Sequence, residues 1–278
     1  MGKPKRKVDV IERVAPHTIK KCELIEHYVD EWARKILGFN GVNGRDGSKG
    51  IIYIDCMSNS GLYYDSDDNL VDGTALRVAK RLNEILPNYP GKMGYVMFND
   101  ISQEKIDRLK KELDGLNLSN ITVRFNCGDG NEFIKELDIK ELQKQCGTLL
   151  LYDPYQAAID WDAITPYLNT WGEVIINHMV SDTNRGAAQA TREKAIQKYQ
   201  ETYQRDIASI IAMSSKTDLN KAILAIIRKR TESSRNKRYI ASFPFFNRTN
   251  GLVYNLIHVS GNIEGLKLFK KVAWKTFG

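Results

Sequence analysis

The chain has 278 residues, 42% of them hydrophobic and 27% charged, with a formal net charge of +7. That composition supplies a real hydrophobic core and excludes a low-complexity or disordered chain. No apolar run nears the roughly 18 residues of a membrane span, and the basic start from Met1 to Val8 lacks the apolar stretch of a secretory signal. A soluble, cytoplasmic protein with no membrane partner is therefore expected. Cys22, Cys56, Cys127 and Cys146 are scattered, as are the histidines at 17, 27, 178 and 258. Reduced thiols and no metal site follow.

Residues 1–16 read as a frayed basic arm ending at Pro16. Thr18 is placed to cap a helix, and Cys22, Ile25, Tyr28, Val29, Trp32 and Ile36 recur at helical spacing, which predicts an amphipathic helix over about 18–37. After a Gly- and Asn-rich loop come five units of apolar run followed by helical pattern. The predicted strands are Ile51–Asp55, Tyr95–Phe98, Ile121–Phe125, Thr148–Tyr152 and Glu173–Asn177. Helices are predicted from near Asp72, over Gln103–Leu113, over Gly130–Leu137 and over Trp161–Leu168. Five β-then-α units in series argue for a parallel sheet covered on both faces.

The last third breaks that rhythm. Residues 186–230 read as long helix interrupted near Ser214–Thr217. Arg238–Phe243 and Leu252–Val259 flank a turn-rich stretch, which is a hairpin signature. Ile263–Trp274 reads as a closing helix. The expectation is one α/β domain over 1–278: a Rossmann-like methyltransferase fold, mostly parallel, closed by an antiparallel C-terminal hairpin. It has an N-terminal helix and a helical basic insertion at about 186–236.

Ligands of open α/β sheets bind beyond the carboxyl ends of the strands. The first strand ends in Asp55 and a turn of small residues, Ser58, Asn59 and Gly61, that would let backbone amides approach a nucleotide-like ligand; Asn59 tolerates positive φ. A plain strand-to-loop turn is the competing reading. The second strand ends in Asp100, able to accept ribose hydroxyls or to cap the next helix, where Ser102 competes. Asp129, between glycines after the third strand, could take an adenine amine or cap a helix. The fourth strand ends in Asp153-Pro154-Tyr155-Gln156. There a carboxylate and its neighbouring carbonyls could accept an amine while Tyr155 stacks on a ring; the competing reading is a simple Asp-Pro turn. Asn177 would complete the polar floor, with Asp182 and Arg185 following. His178 is either a general base or a polar loop residue.

Lysines and arginines crowd 192–248, among them Arg228, Lys229 and Arg230, with Tyr199, Tyr203, Tyr239, Phe243, Phe245 and Phe246 interleaved. Basic charge with aromatics suits nucleic acid; a solvated helix face is the alternative.

The same residues in order carry a family resemblance. His17-Thr18 with Lys21, Tyr28 and Trp32 is similar to the opening helix of the three-Cys-motif partner family (TcmP). Tyr53-Ile54-Asp55 ending in Gly61-Leu62-Tyr63, then Asp72–Ala75, Asp153–Tyr155, and Asn177 with Arg185, resemble its later motifs over roughly 17–185. Two positions depart from it: Cys56–Gly61 replaces a glycine-rich turn, and Gln156 stands where a glycine is expected. The resemblance implies a methyltransferase fold and a cysteine-motif partner protein of radical-SAM character. Asp153-Pro154-Tyr155 also resembles a shortened Asp-Pro-Pro-Tyr signature of methyltransferases acting on the amines of bases.

The expected activity is S-adenosylmethionine-dependent methyl transfer to an amine of a nucleic-acid base or related substrate. Asp55, Ser58, Asn59, Gly61, Asp100 and Asp129 would hold the cofactor. Asp153, Pro154 and Tyr155 would form the catalytic group. Asn177, Arg185, Arg228, Lys229 and Arg230 would bind substrate or nucleic acid. The alternatives are a catalytically inactive domain of the same fold that binds nucleic acid or a protein, and a different nucleotide-handling reaction.

Overall fold

The computed structural model describes residues 10–42, 45–213, 216–232 and 237–277. The first helix, α1 (Pro16–Leu37), starts on Pro16 at its first position, where the missing N–H has no partner to lose. Ala15, in extended conformation, is the N-cap, and no side chain caps it. Thr18 lies inside the first turn, its N–H donating to Ala15 O, so it is not the expected cap. The apolar stripe Cys22, Ile25, Tyr28, Val29 and Trp32 is fully buried, with α2 (Thr74–Ile85) and α11 (Ile263–Phe277) as neighbours.

Seven strands form the main sheet: β1 (Gly50–Asp55), β2 (Met93–Asp100), β3 (Thr122–Cys127), β4 (Cys146–Tyr152), β5 (Glu173–His178), β6 (Tyr239–Phe246) and β7 (Leu252–Ser260). Their order is β6-β7-β5-β4-β1-β2-β3. β7 pairs antiparallel with both β5 and β6, while the pairs among β1 to β5 are parallel. That order, with only the seventh strand reversed, is the Rossmann-like methyltransferase fold expected from the sequence. β1, β4 and β5 are buried at every position, as central parallel strands covered on both faces must be.

Alternation along β1 sends Ile51 and Tyr53 to one face and Ile52 and Ile54 to the other. On the first face lie α1, α2, α3 (Gln103–Asp114) and α11. On the second lie α4 (Gly130–Glu136), α5 (Ile139–Leu142), α6 (Trp161–Leu168), and, beyond β5, α7 (Val180–Gly186), α8 (Glu193–Tyr203), α9 (Ile207–Ala212) and α10 (Lys216–Thr231).

The long helix expected over 186–230 is thus several short ones. Gln204 takes φ of 51° and ends α8, and the Asp206 carboxylate then caps α9 by accepting from Ser209 N. Ser214 and Ser215 of the expected break lie outside the described residues, as do 233–236 of the expected insertion. Met1–Asp9 of the expected arm lie outside them too, but its last residues are docked: Glu12–Arg13 pairs with Leu62–Tyr64, which pairs with Leu70–Asp72. Segments of two and three residues are too short to show strand alternation in a sequence. Among the described residues no helix is long and apolar enough to cross a membrane.

Candidate functional site

Asp153 follows the end of β4 and stands at the carboxyl edge of the sheet. Asn177, on the neighbouring β5, donates from Nδ2 to Asp153 Oδ1 at 2.5 Å. The other oxygen, Oδ2, accepts from Lys21 Nζ at 2.5 Å. Lys21 lies four and seven residues before Ile25 and Tyr28, so helical periodicity aims it inward with them, and it is 8% exposed. Burial, the largest single influence, would lower the pKa of this ammonium, but Asp153, Cys22 and Asp55 together outweigh it and Lys21 ends above its ordinary value. Its Nζ also sits 5.4 Å from the centre of the Tyr254 ring, a cation–π distance.

Asp55 ends β1 nearby and is 2% exposed. Its Oδ1 accepts from Met57 N at 3.2 Å. Burial first and the Asp153 charge second push its carboxyl up to about 8. Lys21 is thus a buried cation paired with Asp153 and acting on Asp55 through its charge, and at neutral pH Asp55 keeps its proton. Two further polar atoms, Ser58 Oγ and Asn177 Oδ1, are buried without a hydrogen-bond partner. Buried polar atoms are ordinarily paired, so this edge of the sheet holds unused capacity to accept or donate hydrogen bonds.

The turn after β1 is tighter than its single glycine suggests. Asn59 adopts φ of 58° and Gly61 φ of 77°, so the expected positive φ at Asn59 is observed. Asn59 N donates to Asp100 Oδ2 at 3.0 Å, and Asp100 Oδ1 accepts from Ser102 N at 2.9 Å. Asp100 thus fastens the turn to the end of β2, while Ser102 Oγ caps α3. Each carboxylate oxygen keeps a second lone pair for another donor. Asp129 caps α4 by accepting from Asn131 N and Glu132 N through Oδ1, leaving Oδ2 for a ligand. Asn99, fully buried, donates to Cys56 O and Gly128 O and accepts from Asn126 Nδ2. It ties the three strand ends together. Nothing in the sequence marks Asn99 for this role, because a strand buried on both faces does not show which polar residue bridges its neighbours. Gly130 is required by contact, since a Cβ there would lie 2.5 Å from Cys56 O.

The expected residues divide. Asp55, Ser58, Asn59, Gly61, Asp100, Asp129, Asp153 and Asn177 all lie at or just beyond the carboxyl edge of the sheet. Pro154 is buried, and Tyr155 is 80% exposed with a free ring face. Arg185 is exposed in the last turn of α7. His178 is no surface base: it is buried, bonded through Nε2 to Tyr203 Oη at 2.8 Å, and held down to about 4 by burial. Tyr199 and Tyr203 are core residues, not free stacking faces. Arg228 and Lys229 are exposed on α10, on the second face of the sheet. Arg230 turns inward to donate to Thr165 Oγ1 at 2.9 Å, over Trp161.

A search of protein-family models and one of curated proteins each found no match. Among solved structures, the chain is similar to an rRNA methylase from Streptococcus thermophilus (10% identity, TM-score 0.42, covering 84% of this chain and 92% of that one). It is also similar to a SAM-dependent methyltransferase from Agrobacterium tumefaciens (12%, 0.43, 88% and 62%), spanning less than two thirds of that chain. A third is M. jannaschii TYW2, solved in complex with AdoMet (10%, 0.41, 88% and 75%). All three scores fall below 0.5, so the fold assignment rests on the strand order and not on these likenesses.

Proposed function

We propose that the chain is an S-adenosylmethionine-dependent methyltransferase acting on an amine of a nucleic-acid base or related substrate. The observation that carries this reading is the buried Asp55–Lys21–Asp153 group at the carboxyl edge of a sheet with this strand order. A carboxyl that retains its proton only because it is buried beside another carboxylate favours a cationic ligand, and both the ammonium and the sulfonium of the cofactor are cations.

The residues present fit such a cofactor. The 56–61 turn offers backbone at positive φ and the unpaired Ser58 Oγ, Asp100 keeps lone pairs at the end of β2, and Asp129 Oδ2 is uncommitted. When bound, the cofactor supplies an electrophilic methyl group, so the protein's part is alignment and exclusion of water. Asp153 and the unpaired Asn177 Oδ1 would accept the substrate amine's N–H groups and turn its lone pair toward the methyl. The exposed Tyr155 would stack on the ring that carries it. Lys21 holds Asp153 in place through their ion pair.

Calorimetric titration with S-adenosylhomocysteine tests the cofactor. Asp153→Ala should then abolish turnover while leaving cofactor affinity within a few-fold; loss of both would overturn the assignment of Asp153 to the substrate. A second reading, a domain of this fold without catalysis, is favoured by the engagement of both Asp100 oxygens with backbone amides. It predicts no binding of the cofactor product. The resemblance to the three-Cys-motif partner family adds a cysteine-motif protein as the partner to test in pull-down.

A further inference from the structure

An aromatic groove opens between the β6–β7 hairpin, α11 and the first turns of α1, with a volume of about 680 Å³. Its apolar walls include Phe243, Pro244, Phe245 and Phe277. Phe246 and Trp274 project from it at 47% and 69% exposure, values unusual for side chains of that size. Its charged lining is Lys20 and Lys270, and among the described residues no carboxylate side chain lines it.

The groove adjoins the site already described. Strand register places Phe245 opposite Tyr254, and Asn255 opposite His178, so this end of the hairpin lies at the carboxyl edge beside Asn177. Phe245 stacks on Tyr254 with ring centres 4.9 Å apart. Tyr254 carries Lys21 over its ring and donates from Oη to His17 O at 2.6 Å. Three side chains in successive contact, Phe245, Tyr254 and Lys21, therefore link the groove to Asp153.

Resting on the reading of the site as one that takes a base, we infer that this groove binds single-stranded nucleic acid and delivers one nucleotide to Asp153. Exposed aromatic faces in a concavity take up unstacked bases, which a duplex keeps hidden, and lysines without opposing carboxylates take up phosphates. A flat bilayer does not enter a concave groove, and an apolar peptide helix gives no use to the two lysines at its wall. The basic residues Arg228 and Lys229 lie across the sheet from it, so the groove displaces them as the main contact.

The test is a fluorescence-anisotropy titration of the full chain with labelled single strands of about ten nucleotides, RNA and DNA run separately, and with a duplex of the same length. Binding of either single strand with quenching of tryptophan emission is expected, with the duplex at least about fivefold weaker. Trp274→Ala and Phe246→Ala, both at exposed positions, should each weaken binding by about fivefold or more. Lys270→Ala should flatten the salt dependence, while Arg228→Glu with Lys229→Glu should change affinity less than about twofold. No binding at low salt, equal binding of the duplex, indifference to Trp274→Ala, or equal loss in the α10 variant would each overturn the proposal. So would a chain that dimerises through Trp274 and ignores oligonucleotides. The titration needs no cofactor. Failure here with S-adenosylhomocysteine still bound overturns the groove alone, and the reverse result overturns the enzyme reading alone.

Discussion

Lys21 Nζ and Asp153 Oδ2 lie 2.5 Å apart, joining the first helix to the end of the fourth sheet strand across 132 residues of chain. Their side chains are 10% and 19% exposed. Removing one partner of a pair this buried leaves the other desolvated and unpaired, at a cost of about 3 kcal/mol. Lys21→Met should therefore lower stability in urea titration by that order, and Asp153→Ala in the Lys21→Met background should add little. Additive losses would show that the two act separately. Because the folded pKa of Lys21 is raised, the contribution of this ammonium is full below the unfolded value of 10.5 and fades as pH climbs through the folded one. At neutral pH it is intact.

Asp55 behaves in the opposite pH range. Its folded pKa of about 8 exceeds its ordinary 3.8, so the folded chain holds a proton that the unfolded chain has released. The sign is fixed: stability from this group is full below 3.8 and is lost as pH rises through about 8. Asp55→Asn, which keeps an acceptor for Met57 N, should gain stability relative to the parent as pH is raised from about 5 to 9. A constant difference in Tm across that range would refute the protonated Asp55.

The same proton gives a binding signature. A cation bound beside Asp55 lowers its pKa, so S-adenosylmethionine binding at pH 7 should release a proton. Calorimetry in two buffers of different ionisation enthalpy reads this directly. Equal apparent enthalpies would place the cation elsewhere.

Gly61 and Gly91 separate two effects of a methyl group. Both have positive φ, 77° and 80°. A Cβ on Gly61 would sit 2.6 Å from Leu109 Cδ1 and 3.0 Å from Leu76 Cγ, whereas nothing lies within 4 Å at Gly91. Gly91→Ala should cost about 1 kcal/mol from backbone strain alone. Gly61→Ala adds overpacking and should cost about 2–4 kcal/mol. Similar losses at the two positions would show that the core yields around Gly61.

Most of the architecture was legible because buried parallel strands leave unbroken apolar runs, as in Ile51–Ile54 and Leu149–Tyr152. The positive φ at Asn59 was legible from residue type. Less legible was anything set by distant partners. Asp153 was visible at a strand end, but the two groups that occupy its oxygens come from α1 and β5. The tyrosines at 199 and 203 looked like exposed aromatics among charges, yet α8 turns them into the second core. His178 is neither a general base nor a loop residue, because β5 buries it against Tyr203, a partner 25 residues on. Helix breaks at Gln204 depend on an αL residue that its side chain does not advertise.

The seventh strand has a consequence for the order of assembly. β7 sits between β5 and β6, and α11 follows it to pack against α1. Until Leu252–Ser260 has been synthesised, β5 presents an open edge and Asn177 lacks its flanking strand, and the buried face of α1 lacks α11 until Ile263–Phe277 follows. Until that strand emerges the nascent chain must therefore carry an incomplete sheet, with a sticky strand exposed to other chains. A ribosome-bound chain arrested near residue 238 should need a chaperone that the released protein does not.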